Sequence, residues 1–290
     1  MKSDIEARCP GEVIANKYTL LGEIGRGSMG VVYRAKPVGG SGVDIALKLM
    51  NPAYATDPNA KKRFLREARV ASSLTHPAAA NVVDFGNVDG TLFIAMTLLD
   101  GLPLRVCLDQ QKGRLCPIEC LTLIGQQVAD VLAAAHQLEL IHRDIKPANI
   151  FLLNGNTMEP DIRVLDFGLA FLAEHDGSLG RLTQEGVLGG TPAYMSPEQA
   201  QADVLTAASD VYSLGCVLYE LACGEVPFSG SVPETLARHV YMMAKPLAHR
   251  HLARSVPQKL SDLIDDMLVK VVAERPTAQM VVERLRDILI

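Results

Sequence analysis

With 290 residues, 48% hydrophobic and 21% charged, the chain has the composition of a folded protein, long enough for one large core or two unequal lobes and without the polar or repetitive stretches of a disordered tail or a solenoid. A formal net charge of −5 argues against nucleic acid as an obligatory partner, because neutralising phosphates takes a surplus of cations. The six cysteines include no C-x-x-C pair and read as free thiols in a reducing cytoplasm; residues 1–10 lack an apolar stretch, and the most apolar windows, such as 211–223 with its Glu220, are too short for a bilayer, so neither a secretory signal nor a membrane segment is expected.

From residue 18 to about residue 98, β-branched and apolar runs alternate with Gly, Asn and Asp turns, which predicts strands over 18–24, 30–35, 43–50, 82–85 and 92–97. One helix is expected among them, capped at Asp57 with Pro58 in its first turn and running to about Leu74. Beyond Asp100 and Gly101 the apolar spacing lengthens to three or four residues, as in Leu121, Ile124, Val128, Leu132 and Ala135 and again in Val211, Leu214, Leu218 and Leu221. Further helices are predicted around 233–243, 257–270 and 277–290. Within this helical region a single hairpin is expected, 150–153 with 163–165, across a turn containing Asn154, Gly155 and Asn156. The predicted class is α+β, a small antiparallel sheet with one main helix followed by a larger helical region.

Between the first two strands stand Gly25, Arg26, Gly27, Ser28, Met29 and Gly30, a G-x-G-x-x-G run with Val32 just beyond. Such a run is often only a turn. A dinucleotide fingerprint needs a helix after its third glycine, whereas Val31, Val32 and Tyr33 continue as a strand, and no G-K-[ST] follows for a Walker loop. What remains is a flap of backbone N–H groups able to close over phosphates. Lys48 then interrupts the apolar strand Ile45, Ala46, Leu47, Leu49. In the predicted helix Glu67 shares the stripe of Phe64, Ala71 and Leu74, while Arg63, Arg66 and Arg69 fall elsewhere. A buried-facing lysine and a buried-facing carboxylate each require a partner, so Lys48 is expected to pair with Glu67 and hold phosphates.

His142, Arg143, Asp144, Ile145, Lys146, Pro147, Ala148 and Asn149 lead into the hairpin, and Asp166, Phe167 and Gly168 leave it. An antiparallel hairpin returns the end of its second strand beside the start of its first, so Asn149 and Asp166 are expected to converge as oxygen ligands for a hard cation, namely magnesium. Asp144 is then placed to accept a proton from an incoming hydroxyl, and Lys146 to neutralise a transferring phosphoryl group.

In order and spacing, Gly25 to Val32, Ala46 to Lys48, Glu67, His142 to Asn149 and Asp166 to Gly168 resemble the eukaryotic-like (Hanks-type) protein kinase signature. The run from Thr191 to Gln199 resembles the bacterial Ser/Thr branch of that family. The resemblance implies a bilobal kinase domain over 18–290 after an extension at 1–17, with an N-lobe over about 18–98 and a C-lobe over about 101–290. It also implies ATP with magnesium, manganese being the alternative ion, and protein substrates with Ser/Thr acceptors. Asp144 becomes the catalytic base, Asn149 and Asp166 the metal ligands, and Lys48 with Glu67 the phosphate-holding pair. Ile24, the flap from Gly25 to Gly30, Val32, Ala46 and Phe151 surround the nucleotide; Met96 is the gatekeeper, with backbone groups of Thr97 and Leu99 meeting the base. Glu198 with Arg275 matches the family's buried ion pair, Asp210 its brace of the catalytic loop, and His142 and Phe167 packing positions.

Arg143 implies control by a phosphorylated loop residue, Thr183 first and Ser178 second, with Glu185 as a fixed negative charge beside them. Lys146 and Thr191 resemble Ser/Thr-directed members. Among three positions that arginine-seeking kinases fill with acids, Pro103 and Ala148 are not acidic and Glu220 is, so no basic consensus is predicted. A homodimer through the small lobe is a further implication of the resemblance. Two alternatives from other classes are a nucleotide-binding pseudokinase scaffold, which needs a missing Lys, Asp or metal ligand, and a small-molecule phosphotransferase, which needs no peptide-binding segment.

Overall fold

The computed structural model describes residues 8–27, 29–40, 42–110, 115–153, 159–167, 192–249 and 256–289. Contacts divide the chain into two compact units. The first, with described residues 8–75 and Ala80–Leu99, holds a six-stranded antiparallel sheet made of β1 (Val13–Ile14), β2 (Tyr18–Gly27), β3 (Gly30–Pro37), β4 (Ile45–Met50), β5 (Val82–Val88) and β6 (Thr91–Thr97), in the order β1-β2-β3-β4-β6-β5. Period-two alternation sends Val31, Tyr33 and Ala35 of β3, Ile45, Leu47 and Leu49 of β4, and Phe93 and Ala95 of β6 to one face, where they form a core with Ile14, Tyr18 and Leu20. Each fully buried large side chain there contributes about 1.5–3 kcal/mol over leaving it in water. Strand β2 runs past its expected end because register shifts near Gly22 and Gly25 let it stay paired with β3.

Helix α1 (Ala53–Thr56), too short to carry a periodic signal, precedes α2 (Pro58–Ser73). The expected cap is present, with Asn59 N–H donating to Asp57 Oδ1 at 2.8 Å and proline in the first turn. Helix α2 buries Ala60, Phe64, Glu67, Ala68 and Ala71.

The second unit takes His76–Ala79 and the described residues from Asp100 onward. His76 is drawn into it because its Nε2 lies 3.2 Å from Asp130 Oδ2 and Val164 N–H donates to the Ala78 carbonyl at 2.8 Å. Its helices are α3 (Leu104–Gln110), α4 (Ile118–Gln137), α5 (Pro197–Ala200), α6 (Ala207–Cys223), α7 (Val232–Tyr241), α8 (Gln258–Met267) and α9 (Ala278–Leu289). A three-stranded sheet adds β7 (Leu102–Pro103) to the expected hairpin of β8 (Ile150–Leu152) and β9 (Ile162–Val164). Gly125 lets α4 approach its neighbours closely, since a Cβ there would stand 2.8 Å from Leu218 of α6 and 3.1 Å from Leu285 of α9. Among the described residues α4 alone is long and apolar enough to cross a membrane, and 61% of that window is buried inside the protein. All six cysteines are free thiols.

Candidate active site

In the first unit the sheet face opposite the core gathers the residues singled out for nucleotide. Gly25 pairs with Val32, Val32 with Lys48, and Lys48 with Ile94, one row across β2, β3, β4 and β6. Two residues along, Ala46 pairs with Met96, so Val32, Ala46, Lys48 and Met96 share that face. Thr97 donates its N–H to the Asn81 carbonyl at 3.1 Å, which leaves its own carbonyl as the group it can present to a base. The flap glycines divide by cause. A Cβ at Gly30 would stand 2.2 Å from the Leu49 carbonyl oxygen, so packing demands this glycine, whereas a Cβ at Gly27 meets nothing within 4 Å. Ser28 lies outside the described residues, and Ile24, Arg26 and Met29 flank these glycines on β2 and the turn into β3.

Lys48 and Glu67 are both buried, 6% and 9% exposed, as the stripe argument requires. Glu67 Oε1 also accepts from Arg66 Nη2 at 3.1 Å. Helix geometry puts the two Cα atoms on different faces, but the arginine side chain is long enough to bring its guanidinium back to the neighbouring carboxylate.

In the second unit one carboxylate organises the loop that begins at His142. Asp210, on α6 and 1% exposed, accepts from His142 N–H (2.9 Å, Oδ2) and Arg143 N–H (2.8 Å, Oδ1), and its Oδ2 also lies 2.9 Å from His136 Nε2 of α4. His142 does more than pack. Its Nε2 donates to the Leu165 carbonyl at 2.7 Å, its Nδ1 accepts from Asp144 N–H at 3.2 Å, and its ring meets Phe167 edge-on at 4.8 Å. Asp144 Oδ2 lies 2.7 Å from Lys146 Nζ and 2.9 Å from Asn149 Nδ2, and the same amide donates to the Asp144 carbonyl at 2.8 Å.

The hairpin register Ile150 with Val164, Phe151 with Arg163 and Leu152 with Ile162 continues one step further, because Leu165 N–H donates to the Asn149 carbonyl at 2.9 Å. Asn149 and Asp166 therefore leave adjacent backbones. Arg143 (φ 70°) and Asp166 (φ 60°) are both left-handed, a conformation that non-glycine residues keep where surrounding bonds over-determine it. Phe151 pairs with Pro103 of β7 on its other side.

Downstream, Arg275 forms the expected buried pair with Glu198, through two bonds at 2.6 and 2.9 Å, and donates to the carbonyls of Val269, Ala208 and Lys270. Burial raises the Glu198 carboxyl, but hydrogen bonds from Arg275 and Ser209 outweigh it and hold it below the usual carboxylate range. Glu220, the one acid among the three positions weighed for substrate preference, is already engaged: Arg105 Nη1 donates to it at 2.8 Å and Tyr194 O–H at 2.6 Å. Gly168, Ser178, Thr183, Glu185 and Thr191 lie outside the described residues. Two residues of this site had no sequence signal. His136 joins Asp210 only because α4 and α6 pack together, and Gln199 donates its Nε2 to the Arg143 carbonyl at 2.6 Å from 56 positions away.

A two-unit α+β chain, with a glycine flap and a lysine on its sheet and an Asp–Asn–Asp loop constellation in its helical unit, defines a phosphotransferase of the bilobal kinase class. The chain belongs to the protein kinase family, whose protein kinase domain model matches residues 18–285. That membership implies use of ATP with a divalent metal. Similar proteins include the serine/threonine-protein kinases pkn3 of Myxococcus xanthus (37% identity over 92% of this chain and 49% of that protein) and PknB of Mycobacterium tuberculosis (37% identity over 91% and 40%). The chain thus spans about half the length of these relatives or less. The PknI kinase domain of Mycobacterium tuberculosis superposes with a TM-score of 0.75 at 27% identity, covering 97% of this chain and 99% of that one.

Proposed function

We propose that this chain transfers the γ-phosphoryl group of ATP to Ser and Thr hydroxyls of proteins, its own activation loop included, with Asp144 as the base. The observation that carries this reading is the setting of the Asp144 carboxylate, with Lys146 at 2.7 Å, Asn149 at 2.9 Å and backbone anchors running to Asp210. A hydroxyl that approaches this carboxylate loses its proton to it as the phosphorus–oxygen bond forms, while the ammonium of Lys146 stabilises charge on the moving phosphoryl group. Lys48, with Glu67 available on α2, holds phosphate oxygens. Ile24, Val32, Ala46, Met96, Thr97, Leu99 and Phe151 surround the base.

The divalent ion fits the donors present. Asn149 spends its Nδ2 on Asp144 and keeps Oδ1 as an acceptor, and Asp166 adds a second hard oxygen from the neighbouring strand end. Phosphates and water would complete the shell, as magnesium prefers. Manganese accepts the same oxygen donors. When bound, the ion would neutralise phosphate charge. Thr183, with Ser178 second, is the proposed regulatory phosphosite, its phosphate to be bound by Arg143; a cytoplasmic setting is proposed from the sequence, and a homodimer from family likeness alone.

A second reading, a weakly active nucleotide-binding scaffold, draws on the contact of Glu67 with the exposed Arg66. Labelled ATP with magnesium or manganese, followed by phosphoamino-acid analysis, separates the two. Label on Ser or Thr supports the kinase reading, and nucleotide binding with no protein-bound label supports the scaffold.

A further inference from the structure

Gln199 makes two bonds in opposite directions. Its Oε1 accepts from Ser196 N–H at 2.9 Å, closing a capping box at the start of α5, and its Nε2 donates to the Arg143 carbonyl at 2.6 Å. Arg143 is left-handed at φ 70°, and its N–H is held by Asp210 Oδ1 at 2.8 Å. Both backbone polar groups of the residue preceding Asp144 are therefore fixed by side chains from separate elements, Asp210 from α6 and Gln199 from α5. Nothing about Gln199 in the helix-capping role alone requires its second bond to reach the catalytic loop.

We infer that Gln199 is a positioning residue that makes the geometry of Asp144 conditional on folding of the segment 192–199. The cap around Ser196 fixes the orientation from which the amide reaches Arg143, because one side chain serves both. An ordered segment thus fixes the loop backbone, and a displaced segment releases it. The inference rests on the proposed phosphoryl transfer for its catalytic consequence, whereas the tie itself is readable without catalysis.

Two variants separate positioning from simple capping. Gln199→Glu keeps the acceptor for Ser196 N–H but sets an oxygen against the Arg143 carbonyl; ionised it repels that carbonyl, and protonated it donates as the amide did. At about pH 8 its kcat is expected about 10-fold below the parent's with KM for ATP within about twofold, and the ratio to the parent should recover as the pH falls to about 6. The charged neighbours Arg143, Asp210 and the Glu198–Arg275 pair are common to both proteins, so the ratio cancels their titration. Gln199→Met should show the same loss with no recovery at low pH. Hydrogen exchange then reads the tie directly: amides of His142 to Asp144 should exchange faster in Gln199→Met, while those of α6 stay protected, which distinguishes a released loop from general unfolding. Parent-like kcat and exchange in Gln199→Met, or a pH-independent ratio for Gln199→Glu, overturns the inference. An inactive parent that still shows the exchange difference sinks the phosphoryl-transfer reading and leaves the tie standing.

Discussion

Replacing Arg275 with Ala tests how the segment after the catalytic loop is held. The guanidinium is 6% exposed as a residue, makes two bonds to Glu198 and donates to three backbone carbonyls, so truncation strands a buried carboxylate and three acceptors together. Breaking a buried pair by removing one partner costs about 3–5 kcal/mol. For a chain of this length that corresponds to a Tm lower by about 5–10 °C, measurable by calorimetry at neutral pH. The pH dependence carries a sign as well. In the parent, Glu198 titrates below its unfolded value, so its stabilisation is present above the ordinary carboxylate range and lost as the pH falls through the depressed folded value. Without Arg275 burial dominates and raises that carboxyl, protonation relieves the stranded charge, and the deficit of Arg275→Ala should shrink as the pH falls below about 5. The double variant Glu198→Ala, Arg275→Ala should lose less than the sum of the single changes. A deficit under about 2 °C, or one that widens on acidification, refutes this account of the pair.

Arg66→Ala removes one partner of Glu67 and leaves the carboxylate to Lys48. Because Arg66 is largely exposed, its pair is worth about 0.2–1 kcal/mol, so KM for ATP should fall about 1.4- to 5-fold, and a KM at or above the parent's in steady-state kinetics contradicts the competition. The two flap glycines should separate binding from stability. Gly30→Ala drives a Cβ into the Leu49 carbonyl and should lower Tm by about 2–5 °C, whereas Gly27→Ala should leave Tm within about 1 °C and raise KM for ATP; equal Tm losses would show that packing alone demands both.

Residue type and spacing made the site legible where a buried charge calls for a partner or a hairpin dictates convergence. Lys48 in an apolar strand and Glu67 on an apolar stripe are buried as that logic requires, and the Asn149–Leu165 rung brings Asn149 and Asp166 onto adjacent backbones. The contact of Glu67 with Arg66 was not legible, because face arithmetic locates Cα atoms and not the end of a long arginine. His136 and Gln199 were invisible for another reason: each acquires its role from a crossing of helices or loops far apart in sequence, with no local pattern to announce it. The short elements β1, β7 and α1 escaped because two to four residues are too few for periodicity, and β1 exists only by pairing with β2. Glu220 shows the reverse, an acid whose type invites a substrate role while its contacts with Arg105 and Tyr194 already occupy it.

The measurement closest to the central claim compares the parent protein with Asp144→Asn for nucleotide binding and for phosphoryl transfer to Ser/Thr in the same preparation. The Asn side chain keeps the size of Asp144 and loses its capacity to take a proton, so binding should persist while transfer falls about 10²- to 10⁴-fold. Transfer at the parent's rate by Asp144→Asn, or a parent that binds ATP with a divalent ion and labels no hydroxyl, contradicts the assignment of Asp144 as the base of a Ser/Thr protein kinase.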